Sequence, residues 1–316
     1  MTRPTRSPRG FTLIEMIMVI VITGILSGMV AVFIKGPVES YFTVANRADL
    51  TDVADTAVKR VTHDIRLALP NSLRNPVDGS DQCIEFMPTK SGGRYRTDQT
   101  TALTGDALDF TVIDPKFDML GPNTNPLTPL LGPNSSLPTF SRIAVGDIVV
   151  VYNDGSASGD AYSGANAVAV AGLCETSLPC PTVLAGSTEI TFEVAGATIF
   201  TGKQFPSASP ANRFLVLPST EQVVSFACSA GTLFRYSRNI TARTTAWTQP
   251  ASCAAMAAGT TATTLANNLS TCSLKYEPPG SGGGSGRFGI VSIFLGLTQS
   301  GETVSLYHQV HVDNAP

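Results

Sequence analysis

The chain has 316 residues, 21 of them basic and 24 acidic, with aromatics at only 7% and charged residues at 14%. That length suits one large domain or two small ones, and the surplus of small polar residues is the texture of many β-rich extracellular proteins. No basic block stands outside the first ten residues, so nucleic-acid binding has little electrostatic support.

Residues 1–10 form a basic leader carrying Arg3, Arg6 and Arg9, and an apolar run follows over residues 11–34 with one carboxylate, Glu15, near its start. A secretory signal has a shorter apolar core followed by a small-residue cleavage site, and none follows this run. The cut is therefore expected before it, between Gly10 and Phe11, which keeps the apolar segment in a mature chain of about 306 residues. Losing three arginines shifts the net charge from −3 to about −6. As a helix the run spans roughly 36 Å at about 1.5 Å per residue, enough to cross a hydrocarbon core of about 30 Å. The leader arginines hold the N-terminus in the cytoplasm and place the rest of the chain outside.

Glu15 would then sit in or near hydrocarbon, where an acid costs on the order of 2–3 kcal/mol. It either snorkels to the interface or pairs with the free α-amine of a neighbouring chain's Phe11, an amine that exists only after a cut at Gly10. Gly24 and Gly28 form a small-xxx-small pair through which another helix could approach.

Gly36-Pro37 interrupts the helical pattern just past the membrane, and a kink or a short unwound stretch is expected at Pro37. Residues 38–69 then resume it. Leu50, Val53, Ala54, Ala57, Val61, Ile65 and Ala68 recur at steps of three and four, with Arg47, Asp52, Asp55, Lys59, Arg60 and Asp64 falling mainly between them. This is an amphipathic helix whose apolar side should lie on a sheet, and Pro70-Asn71 stops it.

Beyond residue 73 the chain reads as short strands separated by turn residues. Strands are expected at 83–87, 107–112, 147–152, 189–194, 214–217, 222–228, 233–236, 289–297 and 302–312. Ser91-Gly92-Gly93 reads as a turn, with 94–96 returning as a hairpin arm. The proline-rich stretch 114–140 reads as a long irregular connection, and 280–286 as a turn or loop. No repeat of 20–50 residues is present. One long helix followed by strands is α+β with a mostly antiparallel sheet, and the missing βαβ alternation excludes a doubly wound nucleotide-binding fold.

Little in this chain points to chemistry. H-E-x-x-H, Walker A and G-x-S-x-G are all missing. His63 lies on the helix, facing solvent or the sheet edge. His308 and His311, three apart in a strand, point to opposite faces, so they do not form a metal pair. The polar loop 153–160, with Asn166, is oxygen-rich enough to suggest calcium, but its spacing is not that of an EF-hand and a plain turn is the simpler reading. No cofactor or metal is expected.

Six cysteines in a chain that crosses a membrane suggest disulfides. Cys174 and Cys180 flank five residues and should close a small loop. Cys83, Cys228, Cys253 and Cys272 can pair in three ways; Cys253 and Cys272 are nearest in sequence, yet Cys228 and Cys272 both sit in or beside strands.

The basic leader, Gly10-Phe11, the apolar run and Glu15 together resemble the type IV prepilin signal. Further segments resemble minor pilins of the mannose-sensitive haemagglutinin pilus system: Gly36-Pro37-Val38, residues 48–57, 66–72, 92–96, 160–164 and 306–316. The resemblance implies a pilin-like α+β fold, with a transmembrane-then-amphipathic helix on a mostly antiparallel β-domain. Its parts are a leader at 1–10, a transmembrane assembly helix at 11–35, an amphipathic continuation at 36–72 and a globular extracytoplasmic domain at 73–316. It implies cleavage after Gly10 and methylation of Phe11 by prepilin peptidase, with Glu15 meeting a neighbour's amine during assembly. The implied partners are other minor and major pilins and the inner-membrane assembly platform. The role is in pilus assembly and is not enzymatic. A minor pseudopilin of a type II secretion machine fits the same signal, and a tip adhesin is compatible with it; a membrane-anchored envelope enzyme is opposed by the lack of any nucleophile–base or metal constellation.

Overall fold

The computed structural model describes residues 10–99, 105–123, 141–175, 187–193, 202–239, 248–257, 261–280 and 287–316. Its first element, α1, is a 54-residue helix, Leu13–Arg66. From Phe11 to Val44 the large apolar side chains are exposed, Phe11 by 90% and Phe33 by 83%. From Leu50 onward α1 has a buried face of Leu50, Ala54, Ala57, Val58, Val61 and Ile65, while Val53 from the expected apolar stripe stays 40% exposed. The helix runs unbroken through Gly36 and Pro37, so the unwound stretch does not form. A proline forfeits one backbone donor, and the hydrogen bonds on either side carry the helix past it. The helix ends at Leu67, three residues before Pro70, where Leu67 N–H turns back to Asp64 and Ile65.

Among the described residues thirteen strands follow, in three sheets whose pairings are all antiparallel. They are β1 (Cys83–Phe86), β2 (Ser91–Arg94), β3 (Lys116–Met119), β4 (Ile148–Val151), β5 (Ala167–Glu175), β6 (Thr188–Glu193), β7 (Arg213–Leu217), β8 (Val223–Ser229), β9 (Thr232–Arg238), β10 (Thr261–Ala266), β11 (Leu269–Glu277), β12 (Phe288–Gln299) and β13 (Glu302–Asp313). A five-residue helix, α2 (Cys253–Ala257), precedes β10. The molecule is therefore a pilin-like α+β fold, a long N-terminal apolar helix packed on antiparallel sheets.

The buried face of α1 meets two of these sheets, β11-β12-β13 and β1-β8-β9-β10. Ile293 and Leu295 of β12, Val310 and Val312 of β13, and Phe86 and Phe226 of β1 and β8 close one core with it. A polar clamp adds direction. Asp64, buried on the helix, accepts from Arg235 Nε of β9 at 2.8 Å, and Arg235 holds Glu221 through two bonds of 2.9 Å.

The third sheet has the order β2-β7-β4-β5-β6-β3, and its ends meet. Tyr95 bridges Met119, Arg96 N–H donates to Asp118 O at 2.9 Å, and Leu120 N–H donates to Arg94 O at 2.8 Å. The six strands thus form a closed barrel filled by Phe117, Phe192, Phe205, Phe214 and Tyr95. This corrects the hairpin expected at 91–96. Gly92 and Gly93 are not a turn; they let β2 lie against β7, because a Cβ on Gly93 would come within 2.8 Å of the Phe214 ring and 2.9 Å of Met119 Sδ.

Two other expectations fail locally. Residues 107–112 are not a strand. The Asp109 carboxylate captures Thr111 N–H and Oγ1, both at 2.7 Å, and Asp109 N–H donates to Asp114 Oδ2 at 2.8 Å, so side chains supply bonds that a ladder would have made. Within 114–140, residues 116–119 form β3, paired with β6; residues 124–140 lie outside the described set.

A third cluster, with Leu69, Met87, Ile148, Val150, Tyr162, Leu217 and Val223, joins the barrel to the helix-bearing core. Asn71, at positive φ, ties the same junction: its N–H donates to Asn314 Oδ1 at 3.0 Å, and its Nδ2 to Asn153 O at 2.8 Å and Asn314 O at 3.0 Å.

Candidate processing and assembly segment

The stretch that the sequence singles out begins outside any helix or strand at Gly10 and Phe11, both exposed. Thr12 then caps the helix, with φ −81° and ψ 151°. Its hydroxyl accepts from Glu15 N–H at 3.3 Å, and Glu15 Oε2 in return accepts from both Thr12 N–H and Thr12 Oγ1 at 3.0 Å. This is a reciprocal capping box, and it satisfies two of the donors that a helix start leaves open. The carboxylate also sits at the positive end of the helix macrodipole. Glu15 therefore has a partner within its own chain. Thr12 was not among the residues expected to matter, although the Thr-x-x-Glu spacing ahead of an apolar run is the signal that finds it.

Further along, Thr23 Oγ1 turns back to Val19 O at 2.7 Å and so hides its hydroxyl from an apolar surrounding. Gly24, Gly28 and Gly36 meet nothing that a Cβ would touch. Their smallness serves no packing inside this chain, and the surface around them is open to another helix. Among the described residues α1 is the one helix long and apolar enough to cross a membrane, and its apolar window has no part buried.

The cysteines lie elsewhere, in the globular part. Cys83 of β1 is bonded to Cys253 of α2, and Cys228 of β8 to Cys272 of β11. The second bond joins the two sheets that share α1. Cys174 is also disulfide-bonded; Cys180, its expected partner, lies outside the described residues. No described cysteine is free.

The remaining polar candidates do not converge. His63 is 68% exposed and contacts Asp64 at 3.2 Å. His308 faces α1 while His311 faces outward. In the loop at 153–160, Asp154 Oδ1 accepts from Ser156 N–H at 2.9 Å, and Gly159 N–H donates to Ser156 Oγ at 3.0 Å, the bonding of a turn. Among the described residues no three His, Cys, Asp or Glu side chains are placed to hold a metal ion.

The sequence reading missed one buried charge cluster. Glu85, fully buried, accepts from Arg74 Nη2 at 2.7 Å and lies 3.5 Å from Arg238 Nη2. The Arg74 guanidinium sits 3.4 Å from the centre of the Tyr162 ring, whose hydroxyl donates to Ser72 O at 2.9 Å. Burial pushes the Tyr162 phenol well above its ordinary pKa. The cluster ties the helix end, β1, β9 and the barrel loop together, and it has the composition of a structural clamp.

Comparison with known proteins fits the N-terminal geometry. The prokaryotic N-terminal methylation motif matches residues 5–31, a span that contains Gly10, Phe11, Thr12 and Glu15. No curated protein and no solved structure matches the chain. Motif and fold together define a type IV pilin- or pseudopilin-like protein, processed at its N-methylation motif. Proteins of this class are typically structural, and their motif implies prepilin peptidase, pilus assembly partners and residence in the inner membrane before the pilus or cell surface.

Proposed function

We propose that the chain is a minor pilin of a type IV pilus of the mannose-sensitive haemagglutinin kind, resembling MshO, and that it acts in the priming or tip complex. The observation that carries this reading is the N-terminal half of α1. It is apolar, exposed along its whole length and capped by Thr12 and Glu15 at the position where the methylation motif matches. Such a helix needs a bilayer first and neighbouring helices afterwards.

In this reading prepilin peptidase cuts after Gly10 and Phe11 is methylated on its new amine. During assembly Glu15 exchanges its bonds to Thr12 for the amine of a neighbouring subunit's Phe11. Gly24 and Gly28 admit a partner helix to close range. The partners are other minor and major pilins and the inner-membrane assembly platform. A mature chain of about 306 residues carries a barrel in addition to the helix-bearing sheets, and that bulk suits an end of a filament better than its shaft.

A minor pseudopilin of a type II secretion system shares every feature named so far. Neighbouring genes separate the two: a pilus operon with a major pilin, or a secretion operon. Adhesion at the tip is compatible with the first reading.

Mass spectrometry of the N-terminus, on protein from membranes or sheared surface fractions, tests the processing step. A terminus at methylated Phe11 is the expected result, and Gly10→Val should leave the leader in place. An intact Met1 in wild-type protein, or a mature-sized band from the Gly10 variant, would refute the assigned cut.

A further inference from the structure

Sheet edges carry unpaired backbone donors and acceptors, and folded proteins cover or blunt them. Most edges here are closed. Among the described residues the barrel is closed, being joined at Tyr95 and Met119. The edge of β1 is bridged by Arg74, whose N–H and O both bond Glu85 at 2.9 Å. The outer edge of β11 is tied off by Asp81, which accepts from Leu274 N–H, and by Asn75, which bonds Leu274 O and Tyr276 N–H, each at 2.9 Å. The edge strand β10 is short and has a bulge between Thr264 and Ala266.

The exception is β13. It is the outermost strand of its sheet and, among the described residues, pairs only with β12. Its register is unbroken over twelve residues, and the sequence ETVSLYHQVHVD contains no Pro, Gly, Lys or Arg. Long, regular and unprotected, it has the features of a pairing template.

Beside it a groove of about 410 Å³ separates β13 from α1. Leu67 and Leu306 contribute its apolar surface, and Lys59, His63, Arg66 and His308 its basic groups. The one acid in its wall, Asp55, is paired with Lys59 at 2.5 Å. Thr62, only 8% exposed, also lines it, and its hydroxyl has no hydrogen-bond partner among the described residues.

We propose that the open edge of β13 receives an extended segment of a different subunit, whose inward-facing residues are apolar with a carboxylate among them. Backbone bonds to β13 supply the affinity, and the residues facing the groove supply the choice. The apolar ones cover Leu306 and Leu67, and the carboxylate meets Arg66 and the two histidines. A second copy of this chain fits poorly. Antiparallel self-pairing of β13 places a two-fold axis across the sheet, which reverses one α1 relative to the other, and both helices must enter one membrane. That last point rests on the membrane-anchored reading above.

The test uses the full chain in detergent micelles and two labelled twelve-residue peptides. Threonine and valine alternate in both; two of the valines are replaced by glutamate in one peptide and by lysine in the other. Binding is read by fluorescence anisotropy, and its place by amide hydrogen exchange. The glutamate peptide should slow exchange in residues 302–312 and bind roughly three- to tenfold more tightly than the lysine peptide. Arg66→Glu, at an exposed helix position, should invert that order without unfolding the chain. The proposal fails if neither peptide protects β13, if both bind equally and Arg66→Glu moves neither, or if β13 is already as protected as β12 in the isolated chain. It also fails if protection appears with self-association and no peptide, which would make the occupant a second copy. Neither probe depends on the cut at Gly10, so failure here leaves the processing step standing.

Discussion

Replacing Glu85 by glutamine keeps the shape of the side chain and removes its charge. Arg74 and Arg238 then keep their charges and lose the carboxylate between them. At the observed separations of 2.7 and 3.5 Å and an effective dielectric of about 20, the two contacts are worth roughly 5–6 kcal/mol each before desolvation is counted. Release from burying the carboxylate returns several kcal/mol. The remainder agrees with the loss of about 3–5 kcal/mol expected when one member of a buried ion cluster is removed. Burial already holds the Arg238 guanidinium below its ordinary pKa, so it is poorly placed to lose its counter-ion. Urea unfolding of the full chain in micelles, disulfides intact and followed by near-ultraviolet circular dichroism, should show the midpoint falling by about 1–2 M for a slope of about 2–3 kcal/mol/M. Adding Arg238→Met to Glu85→Gln should recover part of that loss. A cost below about 1 kcal/mol for Glu85→Gln alone would show that the cluster is solvated, and the clamp assignment would fall.

Thr12→Val should cost about 1 kcal/mol of helix stability through loss of the cap, and Thr12→Ser should retain it; helix content of the chain in micelles distinguishes them. On the minor-pilin reading proposed above, Glu15→Leu should leave membrane insertion intact and reduce co-purification with minor pilins, and unchanged co-purification would count against a role in assembly. Replacing Cys228 and Cys272 by serine opens a bond between residues 44 apart, worth about 4 kcal/mol by loop-closure entropy, and should lower the unfolding midpoint measurably. The Arg235 guanidinium holds the Glu221 carboxyl below its ordinary pKa of 4.5. The stability it contributes is complete above that value and is lost as pH falls through the lowered folded-state value, so Glu221→Gln should flatten the acid limb of a stability-versus-pH curve in that window.

Much of this architecture can be read directly from residue spacing. The stripe from Leu50 to Ile65 announces a helix resting on a sheet, and the strands at β1, β4, β6, β7, β8, β9, β12 and β13 announce themselves by apolar runs or alternation. Other strands escape for reasons of composition. The run AVAVAGLCE of β5 has alanine or glycine at four of its nine positions, residues with little intrinsic strand preference that dilute its two valines. TATTLA of β10 and LSTCSLKYE of β11 have no continuous apolar face. The glycines of β2 look like a turn because turn chemistry is local, whereas their need for closeness to Phe214 is set by a strand more than a hundred residues away. At the N-terminus Glu15 stands out by its charge among apolar neighbours, while Thr12 is a common residue whose meaning lies in its spacing from Glu15. The cluster at Glu85 has no local signature, since its members come from four separate parts of the chain.

The surface on which α1 rests is supplied from far along the chain. Arg47 pairs with Glu302 across 255 positions, and Asn71 bonds Asn314 across 243. Translation proceeds from the N-terminus at roughly 5–20 residues per second, so α1 emerges well before β12 and β13 exist. Until those strands arrive, the apolar stripe of its second half has no sheet to cover it, and loop closure over such separations is slow. For an interval of seconds or longer, the nascent chain therefore presents a bare amphipathic helix, which on the membrane-anchored reading proposed above lies on the far side of the membrane. That interval is when chaperones and proteases would have their best access to it, and a stalled or shortened product would remain in that state.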